Sequence, residues 1–417
     1  MSCNWIELPL GDFIELKRGY DLPKGKRKSG DYPVVSSAGT TDYHAEFKVT
    51  APGVVTGRYG TIGEVFYVNK DFWPLNTTLY VKDFKGNCPE FIYYLLKTFD
   101  FHKYSDKAAV PGVNRNHLHM ELVRVPDSYE SQKKIAEYIS KIDKKIGINQ
   151  QLNQTLEQMA QAIFKSWFVD FDPVKAKMNG EQPEGMDAST ASLFPDKLVE
   201  SELGLIPEGW SISELGEYLD VLETGKRPKG GVKGITEGIP SVGAENILGV
   251  GKYEFGKEKF IPEELFNSLK KGVIESEDVL IYKDGGKPGD FKPRFSMFGY
   301  GFPYQKFAIN EHVFRIRSNK LGQSYLYCQM CDGYVYNDLR NKGAKAAIPG
   351  INQKDVNSLR IVVPDEQILA KFNESVRRFF EMILKNSLQS QELAKLRDTL
   401  LPKLLSGEIE LETAKEQ

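Results

Sequence analysis

Apolar side chains recur at alternating steps of four and three residues along two long stretches of the chain. In residues 131–168 this spacing runs without proline and with one glycine, Gly147. It is typical of a long amphipathic helix with a coiled-coil seam. A second seam repeats the first when 237 is added to each number, and polar residues interrupt both seams at the same step. The seam positions are Ile135, Ile139, Ile142, Ile146, Asn149, Asn153, Leu156, Ala160, Ile163 and Trp167 in the first helix, and Phe372, Val376, Phe379, Ile383, Asn386, Ser390, Leu393, Arg397, Leu400 and Leu404 in the second.

Each of these helices needs a partner, because its apolar seam would otherwise face water. The 38 residues of the first stretch would form a rod about 57 Å long at 1.5 Å per residue. Asn149 and Asn386 lie near the middle of their helices, so antiparallel pairing would bring the two polar steps together. Such a layer fixes register and orientation at some cost in stability. The alternative is that both asparagines face solvent.

The segments that precede the two helices are also related. Trp5 matches Trp210 at an offset of 205, whereas the Pro-Gly-x-Asn turns that end at Asn114 and Asn352 match at an offset of 238. The second copy is therefore 33 residues longer than the first. A repeat of this size is a duplicated domain followed by a helix, not a solenoid unit.

This organisation predicts an α+β protein with two β-rich globular domains, separated by two long helices that pack as an antiparallel coiled coil, in a pseudo-two-fold internal repeat. Short β-forming runs with glycine turns, and one short apolar helix in each copy, support the α+β class. The segment before the second copy is rich in turn residues and is interpreted as a linker that is ordered in part against the body. The expected boundaries are residues 1–128 for the first domain, 129–169 for the first helix, 170–207 for the linker, 208–365 for the second domain, 366–407 for the second helix and 408–417 for a tail.

Composition narrows the class of protein. The 417 residues are 41% hydrophobic, enough for sizeable cores, and no run of 18 apolar residues predicts a membrane span. The N-terminus lacks a basic stretch followed by an apolar one, and the four cysteines are unevenly placed, so a reducing cytoplasm is expected. The net charge of −2 argues against a non-specific nucleic-acid coat.

Basic residues nevertheless concentrate in glycine- and proline-rich loops at residues 17–28, 283–294 and 340–345. Basic loops on a nearly neutral body suit a protein that contacts phosphates in defined places, although solvated surface charge is the alternative for any one cluster. Two such domains at the ends of a helical rod would have the geometry to contact two half-sites on one DNA duplex.

On these features the chain resembles the DNA-specificity subunits of type I restriction–modification systems. The resemblance rests on the duplicated plan, on LEQMAQAIFKSWF at 156–168 followed by VDF, on ELGLIPEGW at 202–210, and on LLPKLLSG at 400–407. It implies two target-recognition domains that each read one part of a split, asymmetric DNA site. It also implies that the long helices act as a ruler for the unread gap and dock two methyltransferase (modification) subunits, on which restriction subunits assemble. The chain itself would be non-catalytic and bind no cofactor, with S-adenosylmethionine, ATP and magnesium on the partner subunits.

The candidate DNA contacts lie on basic or glycine-rich loops, since phosphate contacts need Lys or Arg and major-groove reading favours Arg, Lys, Asn and Gln. Asn114 and Asn352 could also contact DNA, but bonding to their own turns is the favoured interpretation. The candidates are Lys24, Lys26, Arg27, Lys28, Arg58, Tyr59 and Arg115 in the first domain, and Lys226, Arg227, Lys229, Lys283, Lys287, Arg340, Lys342 and Lys345 in the second.

Other chemistries find little support. Cys328 and Cys331 form a CxxC without a second pair, so packing on a helix is expected and a zinc site is not. His117 and His119 lie on a strand-like run with no matching carboxylates, and no metal site is predicted. The glycine turns lack the Lys-Ser/Thr of a phosphate loop, and no methyltransferase Asn/Asp-Pro-Pro-aromatic motif occurs. The alternative to a DNA-recognition subunit is a protein–protein scaffold with two β-rich binding domains on a coiled-coil rod.

Overall fold

A computed structural model describes residues 4–104, 112–228, 230–345 and 348–409. The chain divides into two compact units, one formed by residues 1–145 with 392–417 and the other by residues 146–391. Each unit therefore contains one globular domain, the beginning of one long helix and the end of the other, whereas the predicted boundaries separated helices from domains.

The first domain is built on small β-sheets, most of whose strand pairs are antiparallel. Its four-stranded sheet has the order β2-β8-β5-β6, its three-stranded sheet the order β4-β3-β7, and β1 pairs with β9. The strands are β1 (Trp5–Pro9), β2 (Glu15–Arg18), β3 (Tyr32–Ser36), β4 (Gly39–His44), β5 (Gly53–Gly57), β6 (Val65–Val68), β7 (Trp73–Pro74), β8 (Thr78–Asp83) and β9 (Leu122–Pro126), and the helices are α1 (Leu10–Phe13), α2 (Pro89–Lys97) and α3 (Arg115–His119).

The first long helix, α4, spans Tyr129–Phe168, and the segment after it is ordered, as expected in part for this linker. It forms α5 (Asp172–Met178), α6 (Ala188–Ser192) and the antiparallel pair β10 (Leu198–Ser201) and β11 (Gly204–Pro207). Val174, Phe194 and Ile206 from this segment are buried in the core of the second unit. These three apolar residues are separated by turn residues, so they form no periodic pattern from which their burial could be predicted.

The second domain repeats the topology of the first. Its four-stranded sheet has the order β13-β19-β16-β17 and its three-stranded sheet the order β15-β14-β18, while β12 pairs with β20. In both three-stranded sheets the central strand pairs in parallel with one neighbour. The strands are β12 (Ser211–Glu214), β13 (Val221–Thr224), β14 (Ile239–Val242), β15 (Lys259–Ile261), β16 (Val279–Tyr282), β17 (Phe295–Met297), β18 (Ala308–Ile309), β19 (Val313–Arg317) and β20 (Arg360–Val363), and the helices are α7 (Glu263–Asn267), α8 (Gln323–Cys331), α9 (Gly333–Ala344) and α10 (Gln353–Asn357).

The second long helix, α11, spans Glu366–Ser406 and packs with α4. In the first unit Ile135 and Ile139 share a core with Leu401 and Leu404. In the second, the rings of Phe164 and Phe372 lie 6.0 Å apart. Because rising numbers in one helix meet falling numbers in the other, the pairing within each unit is antiparallel, and the predicted fold class is confirmed.

The polar steps of the two seams meet within the second unit. Asn149 is fully buried, and its Nδ2 donates to Gln389 Oε1 at 2.9 Å and to Ser390 Oγ at 3.2 Å. Asn386 Nδ2 donates to Asn153 Oδ1 at 2.9 Å. The side chains of Asn149 and Asn386 therefore point into the helix pair, and the alternative of solvent-facing asparagines is wrong.

All of the predicted seam positions are at least partly buried, and half of them are almost fully buried. Buried positions are Ile135, Ile139, Asn149, Leu156, Ala160, Trp167, Phe372, Val376, Ile383 and Leu404. Partly buried positions are Ile142, Ile146, Asn153, Ile163, Phe379, Asn386, Ser390, Leu393, Arg397 and Leu400.

One local prediction is wrong. His117 and His119 lie on the helix α3, not on a strand. A helix of five residues is too short to show a periodicity, and its start is set by the side chain of Asn114, not by an apolar face.

Candidate nucleic-acid interface

In the first unit a basic loop is joined to the Pro-Gly-x-Asn turn. After β5 the chain continues into Arg58 and Tyr59, and Tyr59 forms a β-bridge with Gly112. The backbone N–H of Val113 donates to the carbonyl of Arg58 at 3.0 Å. A Cβ on Gly112 would lie 2.1 Å from the ring of Tyr59, so only glycine permits this approach.

The second unit contains the same joint with different side chains. Asp284 forms a β-bridge with Gly350, and Ile351 N–H donates to the carbonyl of Lys283 at 2.8 Å. A Cβ on Gly350 would lie 2.7 Å from Cβ of Asp284. Both domains thus present a loop after the central strand of the larger sheet, held by the matched turn.

The two matched asparagines start helices, which is the turn role expected for them. Asn114 Oδ1 accepts a hydrogen bond from Asn116 N–H at 3.0 Å and caps α3. Asn352 Oδ1 accepts a hydrogen bond from Lys354 N–H at 2.8 Å. Asp355 Oδ2 accepts one from Asn352 N–H, which completes a capping box for α10. The first cap places Arg115 at the beginning of α3.

Three arginines of the first unit surround one surface hollow of about 310 Å³, lined by Arg18, Arg58 and Arg115 together with Tyr59 and Asn114. The Arg58 guanidinium lies 4.4 Å from the centre of the Tyr59 ring, and this stacking orients it. The structure thus brings together the predicted Arg58, Tyr59 and Arg115. Arg18 was missed as a candidate, although it lies in the basic segment that the sequence drew attention to.

The other basic candidates of this unit lie on the loop after β2 and have unequal surroundings. Lys24 and Lys26 are exposed on a short 3-10 turn. Arg27 Nη1 donates to Asp42 Oδ2 at 2.8 Å, and this hydrogen bond lowers the pKa of Asp42. Lys28 Nζ lies 3.7 Å from Glu46. Arg27 therefore holds the loop to β4, whereas Lys24 and Lys26 are the two candidates of this loop for which the described residues show no ion pair.

In the second unit Lys226 and Arg227 line a small hollow of about 70 Å³ with Lys259 and His312, two residues that the sequence argument missed. Arg227 Nη1 lies 3.6 Å from Glu311 Oε1. Both missed residues come from neighbouring strands or loops and are separated from Lys226 by more than thirty positions in the sequence, so no local motif could have found them.

Some of the remaining candidates of the second unit bond to other protein groups, whereas others are exposed. Lys283 Nζ donates to the carbonyl of Glu311 at 3.2 Å, and Lys342 Nζ pairs with Asp338 at 2.8 Å. Lys287, Arg340 and Lys345 are exposed. Lys229 lies outside the described residues.

His119 is hydrogen-bonded to β2, the strand that carries Arg18 of the arginine hollow. Its Nε2 accepts a hydrogen bond from the backbone N–H of Leu16, at 3.0 Å, in the strand that ends at Arg18. Burial lowers the pKa of His119, with a further contribution from the nearby Arg115 guanidinium. The imidazole is therefore held in its neutral form.

Across the described ranges, no group of three or more His, Cys, Asp and Glu side chains is arranged to hold a metal ion. Cys328 is fully buried on α8, and burial raises its pKa well above the ordinary thiol value. Within the same ranges, no helix is both long and apolar enough to cross a membrane.

Comparisons with known proteins agree with this arrangement. Residues 3–158 match the family model described as the type I restriction modification DNA specificity domain. The MjaIX type I restriction enzyme specificity subunit of Methanocaldococcus jannaschii is 26% identical over 331 residues, 78% of this chain and 70% of that protein. The HindI specificity subunit of Haemophilus influenzae is 26% identical over 411 residues, 83% of this chain and 84% of its own length.

A solved structure has the same fold along nearly the whole chain. The type I restriction–modification S subunit from M. genitalium aligns over 98% of this chain and 97% of its own, with a TM-score of 0.59 and 15% identity. Such an identity speaks for the fold alone. Residues 3–158 therefore carry a type I restriction modification DNA specificity domain, and over most of its length the chain is similar to type I restriction enzyme specificity subunits.

Proposed function

We propose that this chain is the non-catalytic subunit that reads a split, asymmetric DNA site for a type I restriction–modification complex. The observation that carries the proposal is the joint between a loop and a Pro-Gly-x-Asn turn, which recurs in both units. The same backbone device presents Arg58 and Tyr59 in one unit and Lys283 and Asp284 in the other. An identical frame with different side chains suits two domains that read different base sequences.

The paired helices α4 and α11 would set the unread gap and provide docking surfaces for two methyltransferase subunits. Ile148, Leu152 and Met159 leave large apolar surface exposed on α4, and Leu396 does so on α11. Met159 and Leu396 are related by the internal offset of 237, so the two helices offer a matched apolar position. Exposed apolar side chains on a helix favour packing against another helix.

In this proposal the chain performs no chemistry. S-adenosylmethionine, ATP and magnesium would bind to the methyltransferase and restriction subunits. The complex would act on DNA in the cytoplasm. The DNA target follows from sequencing the methylated positions in a host that carries the complete system.

The test measures affinity of the full chain, with its methyltransferase partner, for a duplex that contains that target. Replacing Arg58 and Arg115 with alanine, singly and together, should weaken binding and reduce the steepness of its salt dependence by about one unit for each lost phosphate contact. Arg378→Ala is the matched control, because the Arg378 side chain is 78% exposed on α11 and belongs to none of the loops that carry the candidate contacts.

Binding that does not respond to salt would contradict the proposal and favour the alternative, a protein–protein scaffold. Equal loss from Arg378→Ala and from the two hollow variants would also contradict it, since the effect would then be one of net charge alone.

A further inference from the structure

The two domains differ most in the connection between the first two strands of their three-stranded sheets. In the first domain residues 37–38 join β3 to β4 in a tight hairpin. In the second, residues 243–258 join β14 to β15. The strand pairing is equivalent in the two sheets: Val35 of β3 pairs with β7, and Val242 of β14 pairs with β18, at corresponding positions. The longer connection is therefore an insertion within a shared frame.

The inserted segment of the second unit lies along an edge strand. Val250 forms a parallel β-bridge with Met297 of β17, and Gly251 N–H donates to the Met297 carbonyl at 3.1 Å. Val250 is 1% exposed, and its N–H donates to Tyr327 Oη at 3.0 Å. The segment thus adds to the sheet edge and covers the adjoining helix α8.

The same segment also packs against the long helices of that unit. A Cβ on Gly251 would lie 2.8 Å from Cγ2 of Ile383 and 2.7 Å from Oγ of Ser387, so a residue without a side chain is needed there. Lys252 Nζ pairs with Glu157 at 2.8 Å. One extended piece of chain therefore fills the space between the edge strand, α8 and the helix pair.

In the first unit the equivalent space is an open groove of about 980 Å³. The register of β5 with β6 puts Tyr67 at the place of Met297, and the two nine-residue helices α2 and α8 put Tyr93 at the place of Tyr327. Both tyrosines line the groove, as do residues at the beginning of α4. β6 is the edge strand of its sheet, like β17.

We infer that this groove binds an extended peptide segment of a partner protein, which takes the place that residues 248–253 occupy in the second unit. The recognised chemistry is a β-branched apolar residue followed by glycine. A backbone N–H would bond to Tyr93 Oη, and a second would extend the sheet at Tyr67. Three carboxylates of the groove are matched by three lysines, so it offers no net positive charge to attract nucleic acid; these residues are Glu90, Glu137, Asp143, Lys70, Lys133 and Lys144.

The aromatic wall of the groove is already held in place without a ligand. Tyr67 Oη donates to Glu90 at 2.7 Å, and Tyr94 Oη donates to Asp143 at 2.9 Å. The rings of Tyr67 and Tyr93 lie 5.8 Å apart, and those of Tyr93 and Tyr94 lie 4.9 Å apart. A wall that is ordered beforehand lowers the entropic cost of binding.

The test uses the full chain and a fluorescent peptide with the sequence of residues 246–254, NILGVGKYE. Anisotropy should report saturable binding. A peptide carrying Val250→Asp should bind about ten-fold more weakly or worse, because a carboxylate would be buried unpaired. Tyr93→Phe in the protein should weaken binding of the parent peptide by about three- to ten-fold, which is the net effect of losing one hydrogen bond. Tyr138→Phe is the matched control, since Tyr138 is exposed on α4 and does not line the groove.

A second variant tests the groove from the other direction. Residues 37–38 are replaced by residues 243–258, which should fill the groove in cis, abolish peptide binding and raise the melting temperature. Absence of binding at about 1 mM peptide, or binding that ignores both Val250→Asp and Tyr93→Phe, would overturn the proposal. DNA affinity of Tyr93→Phe should equal that of the parent, so the outcome is separate from that of DNA recognition.

Discussion

His119 makes the stability of the first domain depend on pH. It must be neutral to accept the hydrogen bond from Leu16 N–H, and burial lowers its pKa in the folded protein. The unfolded chain therefore binds a proton more readily than the folded chain. The stabilisation is complete above the ordinary histidine pKa and is lost as pH falls through the lowered value.

We expect His119→Gln to flatten the dependence of the unfolding free energy on pH between about 7.5 and 5, because a glutamine carbonyl can accept the bond without titrating. Urea titrations at both pH values measure this. His102→Gln is the control, since His102 is exposed on the same domain. An unchanged pH slope for His119→Gln would show that the imidazole is not the titrating group.

A buried arginine marks a second place where one side chain decides local stability. Arg315 is 6% exposed and donates to Asp278, Glu223 and Glu275, while Arg317 Nε donates to Asp278 at 2.7 Å. Arg315→Met would leave the fully buried Asp278 with one partner fewer. We expect a loss of about 3–5 kcal/mol of unfolding free energy, measured by chemical denaturation.

Glu275→Gln is the matched control for that core, because the Glu275 side chain is 64% exposed and its pairing should contribute less than about 1 kcal/mol. Similar losses from both variants would contradict the assignment of Asp278 and Arg315 as the buried pair. In the first domain the register places Tyr80 where Arg315 stands, and Tyr80 Oη is 3.0 Å from Tyr20 Oη.

At the scale of elements, the seams and matched turns were readable from the sequence because periodicity and glycine requirements are local. The 237-residue offset located both long helices, and the Pro-Gly-x-Asn motif located both matched turns, but not the loops that they contact. Short α3 and the individual elements of segment 170–207 were not readable, since their order comes from Asn114 capping and from contacts of Phe194 and Ile206 with a distant core. The filling of one groove by residues 248–253 was equally hidden, because the segment has no periodicity of its own.

The polar layer of α4 and α11 gives an element-scale prediction. Asn149→Leu would remove the donor that Gln389 and Ser390 share, at a net cost of about 0.5–1.5 kcal/mol for each hydrogen bond lost, because both acceptors can still reach water. Combining it with Gln389→Leu and Ser390→Leu should recover stability but loosen register, because apolar layers pack in more than one alignment. Denaturation measures the first effect, and light scattering with size exclusion detects new oligomers. A triple variant as unstable as Asn149→Leu would contradict this account.

At the scale of the whole molecule, the proposed ruler implies that the length of the unread gap can be changed without changing the half-site sequences. Each residue added to a helix lengthens it by about 1.5 Å, and one base pair occupies about 3.4 Å of duplex. Seven residues inserted into both α4 and α11 at the polar layer preserve the heptad and add about 10 Å. The methylated target of the assembled complex should then keep both half-sites and gain about three unread base pairs.

Sequencing of methylated positions in cells that carry the extended chain measures this directly. The matched variant receives seven residues in the exposed hairpin turn between β10 and β11, outside both long helices, and should keep the original gap. The proposal assigns base reading to loops such as Arg58–Tyr59 and gap length to the helices, so a changed half-site would contradict this assignment. An unchanged gap after both helices were lengthened would contradict the ruler itself.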